Sequence, residues 1–171
     1  MLSFCSPFYK DVAYFGGYPT EKDFHELLSN EFTYFIDLTT LRERQRLDYD
    51  YSLEIPYHSN LFYINFSIVD NNIPFSSKLF MEFLDFIATI FRTKKKVYIH
   101  CKGGHGRSCL LVASIFCYLF FQHPMDAFGL TKSCHEKRID LKQKYRGISC
   151  PQIYSQRKFI IDMYNSLKNN I

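Results

Sequence analysis

The sequence predicts an α/β domain: a central, mostly parallel sheet flanked by helices. Three observations predict it. Short strand-like runs alternate with longer helix-like runs, as in sheets joined by crossover helices. One such run, Val97-Tyr98-Ile99-His100, enters a glycine loop and leaves it into an apolar helix. The chain has 171 residues, 47% hydrophobic and 22% charged, the size and balance of one domain with a full core. No repeat, low-complexity tract or Ser/Gly linker divides residues 1–171.

Val12 to Phe15 reads as a first strand, ended by Gly16-Gly17 and Pro19. Thr20, with Asp23 three residues on, opens a helix with Phe24, Leu27 and Leu28 on one face. Tyr34 to Leu38 is a buried strand, Arg42 to Tyr51 a polar loop and Phe62 to Phe66 another strand. Ser67 to Pro74 contains Asp70-Asn71-Asn72 and has turn composition. Ser76 or Ser77 opens a helix with Leu79, Phe80, Phe83, Leu84, Ile87 and Ile90 at helical spacing. After the glycine loop comes a helix that includes Cys109 to Phe121, broken at Pro124. Two further helices cover about Met125 to Arg138 and Pro151 to Leu167, the second opened by its proline.

Charge narrows the partners. Twenty-one basic against 17 acidic residues give +4, too mild for a non-specific nucleic-acid binder but suited to a small anion. Lys94-Lys95-Lys96 reads as a solvated turn. The six cysteines form no C-x-x-C pair, so zinc-motif spacing is missing and no metal is expected. Met1 to Lys10 lacks the pattern of a secretory leader, and neither Met1-Leu2 nor Asn169-Asn170-Ile171 carries a lipidation signal. A cytoplasmic, reducing location is expected. As a helix, Cys109 to Phe121 would reach about 20 Å, short of the ~30 Å bilayer core, so no membrane span is expected.

The chemistry concentrates in His100-Cys101-Lys102-Gly103-Gly104-His105-Gly106-Arg107-Ser108. Glycines let backbone N–H groups turn inward around a tetrahedral anion, and the following helix adds its positive end. Arg107 offers a planar fork for two phosphate oxygens. A cysteine at the floor of such a nest is available as a thiolate nucleophile. The result reads as a phosphate-binding loop between a central strand and a buried helix. A Walker-type loop is excluded, because no Gly-Lys-Ser/Thr follows the glycines.

The segment VYIHCKGGHGRS resembles the His-Cys-x5-Arg-Ser/Thr signature of cysteine-dependent protein phosphatases, most closely the compact dual-specificity group. VAYFGGYP resembles the first strand of such domains, FSIVDNNIP their mobile acid-bearing loop, and CPQIYSQ their glutamine-bearing loop. The resemblance spans about Val12 to Tyr164 and implies a dual-specificity-phosphatase-like catalytic domain. It implies that Cys101 forms a phosphocysteine. Arg107 and the loop amides of Lys102, Gly103, Gly104, His105 and Gly106 would hold the phosphoryl oxygens. Ser108 would help the thiolate leave, and His100 would order the loop. Asp70 would be general acid and then base, with Asp37 and Asp85 as weaker rivals. Gln156, or else Gln152, would position the hydrolytic water. No cofactor is implied. Such a cysteine is open to oxidation, and Cys5, Cys109, Cys134 and Cys150 are all open as its resolving partner.

The substrates this implies are phosphotyrosine and phosphoserine/threonine proteins. Lys102 and His105 also resemble the two lysines in the loop of phosphatase-and-tensin-type lipid phosphatases, which keeps a phosphoinositide open. An RNA 5′-phosphate, the substrate of a further branch, stays open too. So does a non-catalytic reader of phosphorylated proteins. A basic His105 would make polyanion affinity change near pH ~6.5.

Overall fold

The computed structural model describes residues 2–169. Met1 and the last two residues, part of the termini searched for lipidation signals, lie outside them. The sheet has five strands: β1 (Cys5–Tyr9), β2 (Ala13–Gly16), β3 (Phe32–Asp37), β4 (Phe62–Asn65) and β5 (Lys96–His100). Their order is β1-β2-β5-β3-β4. All neighbours run parallel except β1, which pairs antiparallel with β2 at one edge. The helices are α1 (Glu21–Ser29), α2 (Leu41–Arg44), α3 (Ser77–Arg92), α4 (Arg107–Tyr118), α5 (Pro124–His135) and α6 (Tyr154–Lys168).

Strand alternation sorts the core into two layers, because successive side chains point to opposite faces. Val97 and Ile99 of β5 pack with Phe15, Ile36, Phe80, Leu84, Leu110 and Ile160, under α3, α4 and α6. Tyr98, between them, packs with Phe24, Leu27, Phe35 and Tyr51 on the α1 face. Helix α4 is buried at every position from Arg107 to Cys117. That explains its apolar composition without a membrane. Among the described residues no helix is long and apolar enough to cross one.

Register aligns the strand ends. Gly16 of β2 and Asp37 of β3 both pair with His100 of β5. Cys101 therefore emerges between two flanking strands, at the carboxyl edge where open α/β sheets bind ligands.

Several boundaries differ from expectation. β1 was not foreseen: Ser6 and Pro7 interrupt its apolar pattern, and proline is tolerated there because the strand is an edge. The polar loop expected from Arg42 to Tyr51 begins inside α2, and two turns of 3-10 helix, Tyr51–Leu53 and Ile55–Tyr57, follow at its end. The last helix begins at Tyr154 rather than Pro151. Helix α4 stops at Tyr118, and Phe121 adopts a left-handed φ of 56°. Thr20 caps α1 as expected, with its reciprocal bond to Asp23.

Candidate active site

The loop after β5 folds back on the cysteine. Gly104 N–H donates to Cys101 Sγ at 3.2 Å, and Ser108 Oγ lies 3.5 Å from the same sulfur. Cys101 is 3% exposed at the floor of an open cleft of about 320 Å³. Gly104 has φ +78°, and a Cβ there would come within 2.5 Å of the Gly16 backbone. Only glycine fits such a left-handed, crowded position. Gly106 is the N-cap of α4 with no side-chain capping bond, so first-turn N–H groups have no capping side chain and are available to an anion.

Arg107 is fixed from several sides. Its guanidinium donates to both Glu43 oxygens, at 2.8 and 2.7 Å, and to the Ile68 carbonyl at 2.8 Å. Asp70 lies 3.0 Å from it. Burial pushes the Glu43 carboxyl up, but Arg107 and Thr40 outweigh it and hold it at about 2. Burial pulls the Arg107 guanidinium down, and Glu43 reverses this, so its pKa is raised.

His100 is fully buried beneath the loop. Its Nε2 shares a 2.6 Å hydrogen bond with Tyr51 Oη, and burial lowers its pKa. Burial thus favours its neutral form. Arg138 braces the loop from behind, donating to the carbonyls of Gly103 at 3.3 Å and Gly104 at 3.1 Å.

The cleft is lined by Asp70, Asn71, Cys101, Lys102, Gly103, His105, Gly106, Arg107, Gln152 and Gln156, with Tyr145. The structure thus gathers the expected residues, with Ser108 and Gly104 beside the sulfur and His100 below. Asp37 is excluded from the cleft: it is fully buried, bonded by Thr39 and Tyr63 and paired with Arg44. Asp85, on α3, accepts from Tyr118 Oη of α4 and does not line the cleft either. Gln156 is fully buried and donates to the Asn72 carbonyl at 2.9 Å, while its Oε1 has no partner. Gln152 is exposed at the rim. A larger hollow of about 540 Å³ opens at the amino-terminal strand ends, beside Lys94–Lys96, and no cysteine lines it.

Residues 12–120 match the family described as "Polymorphic toxin system, DSP-PTPase phosphatase". The chain belongs to the DSP-PTPase phosphatases. It is 34% identical over 126 residues to "Putative tyrosine phosphatase 197R" of Invertebrate iridescent virus 6, covering 72% of this chain and 45% of that protein. It is 29% identical over 157 residues to "Putative tyrosine phosphatase 067L" of Invertebrate iridescent virus 3, covering 90% and 62%. The chain thus spans less than two thirds of the length of either viral relative. In fold it is similar to Tk-PTP in the active form, with a TM-score of 0.75, 19% identity and coverage of 96% and 99%.

Among DSP-PTPase features, His105 departs from expectation. Its ring stacks on Tyr145 with centroids 3.6 Å apart, and Nδ1 bonds His135 Nε2 at 2.8 Å. Burial and then the nearby Arg138 charge lower its pKa to about 3. His105 is therefore neutral at physiological pH, and the expected change in polyanion affinity near 6.5 loses its basis. Glu43 and Arg138 were missed. Glu43 had a signal, the Thr40-x-x-Glu43 capping box that starts α2. Arg138 had none, because it reaches the loop only through the tertiary fold.

Proposed function

We propose that this DSP-PTPase chain hydrolyses phosphate monoesters on phosphotyrosine and phosphoserine/threonine proteins through a phosphocysteine intermediate. The observation that carries this reading is the buried Cys101 sulfur between Gly104 N–H and Ser108 Oγ, facing a cleft that Arg107 and Asp70 share. The names of the two viral relatives support phosphotyrosine as a substrate.

The thiolate attacks phosphorus while Asp70 gives its proton to the departing oxygen. Arg107, the loop amides and the α4 N-terminus stabilise the equatorial oxygens. Asp70, now ionised, takes a proton from water. That water attacks the phosphocysteine, and Ser108 donates a hydrogen bond to the returning thiolate. Gln156, with its unpartnered Oε1, positions the water. Exposed Lys102 adds positive charge at the mouth.

The test is turnover on an aryl phosphate, phosphotyrosine and phosphothreonine peptides, a soluble inositol phosphate and a 5′-triphosphate RNA. Wild type and Cys101→Ser are run together with chelator present. Activity on both peptides that vanishes in the variant supports the proposal. Preference for the inositol phosphate or RNA replaces its substrate class. Tight peptide binding with no turnover by wild type replaces it with a phosphoprotein reader.

A further inference from the structure

Behind the phosphate loop lies a cluster that the mechanism does not use. The sulfurs of Cys109 and Cys150 and a ring nitrogen of His135 lie within 4.8 Å of one another. All three residues are at most 1% exposed. They come from the first turn of α4, the end of α5 and the loop before α6. This distance in sequence is why no zinc-type spacing shows.

The histidine is poised for a ligand. His135 Nε2 is engaged by His105 Nδ1 at 2.8 Å, while its own Nδ1 is buried with no partner. Buried polar atoms are nearly always satisfied, so an unpaired one in a sulfur-lined site needs an explanation. A metal-bound histidine ordinarily uses one nitrogen for the ion and the other for an outer hydrogen bond.

We propose that Cys109, Cys150 and His135 form a binding site for one thiophilic divalent cation, zinc by its donor set. Two sulfurs and one imidazole nitrogen are a zinc-type set. Zinc–sulfur and zinc–nitrogen bonds of about 2.3 and 2.0 Å bring such donors roughly 3.5–3.8 Å apart. A contraction on the order of 1 Å reaches this from the present spacing. Each thiol gives its proton to solvent as its metal–sulfur bond forms.

The ion would tie three segments together directly behind the loop. Cys109 Sγ lies 3.8 Å from the Gly104 carbonyl, and His135 holds His105. Its role is bracing, and the site is separate from Cys101.

The test loads reduced full-length chain with Zn²⁺, removes excess by gel filtration and measures metal per chain. A Co²⁺-loaded sample reports bound thiolates through its sulfur-to-metal absorption. One equivalent in wild type and in Cys101→Ser, lost with the thiolate band in Cys150→Ala, supports the site. It should also raise the melting temperature of wild type but not of Cys150→Ala. No retained ion in reduced wild type overturns the proposal. So does an ion that Cys150→Ala keeps and Cys101→Ser loses. Should Cys150→Ala not fold, band intensity in wild type decides: two thiolates per ion supports the site and one overturns it.

Discussion

Asp70 Oδ1 lies 3.0 Å from Arg107 Nη2, the same nitrogen that donates to Glu43 Oε1 at 2.7 Å. One guanidinium thus joins the turn that carries Asp70 to α2. The two carboxylates differ in setting. Asp70 is 58% exposed, Glu43 19%. Under the proposed function, a phosphate entering the cleft would compete with exposed Asp70 for Arg107, while Glu43 would keep its hold.

Replacing Asp70 by Asn should therefore lower kcat about 10²–10⁴-fold if it is the acid. Binding of phosphopeptide should weaken little, because a carboxylate competitor is removed. Steady-state kinetics and titration with Cys101→Ser as background separate the two. An unchanged kcat rejects Asp70 as the acid.

Glu43→Gln keeps the shape of the Arg107 clamp but removes its charge. Losing a charge-assisted bond in a part-buried pair costs about 1–3 kcal/mol, a melting shift of a few degrees. Both KM and kcat should worsen, since the proposed mechanism has Arg107 serve binding and the transition state alike. Glu43→Asp, which restores the charge, should recover part of the loss.

Stability should fall with acidification in two steps. His105 has its folded pKa lowered from 6.5 to about 3. Its contribution is present above pH 6.5 and is lost as pH falls from 6.5 toward 3, where only the unfolded chain takes up the proton. Glu43, lowered from 4.5 to about 2, adds stability above 4.5 that is lost toward pH 2. Melting temperatures across pH 3–8 should show a shallower decline near pH 6 in His105→Asn and near pH 4 in Glu43→Gln. Identical slopes in variant and wild type would remove these assignments.

Two glycines give opposite outcomes. Gly104→Ala places a Cβ against Gly16 and strains a left-handed φ, so activity should collapse and stability drop by at least about 1–2 kcal/mol. Gly129 lies inside α5 with open space around it. Gly129→Ala should stabilise by about 0.5–1 kcal/mol and leave turnover alone. Chemical denaturation with parallel assays reads both.

The sequence made the loop legible because its parts are consecutive. Strand, cysteine, glycines, arginine and buried helix fall within Lys96–Tyr118. Asp70 and Gln156, with Gln152 as its rival, were singled out by the resemblance of FSIVDNNIP and CPQIYSQ to family loops, and all three line the cleft. What brings Glu43, Tyr51 and Arg138 to the loop is packing of separate elements, which no local pattern carries. His105 looked cationic for the same reason: its charge state is set by Tyr145, His135 and Arg138, all distant in sequence. The edge strand β1 escaped because edge strands tolerate the proline that argues against a central one.

The most direct measurement is acid quenching of wild type during turnover of an aryl phosphate, with mass spectrometry of the peptides. One added phosphoryl group is expected on the peptide containing Cys101, missing in Cys101→Ser along with turnover. Steady turnover by Cys101→Ser at the wild-type rate, or a phosphoryl group trapped on another residue, would contradict it.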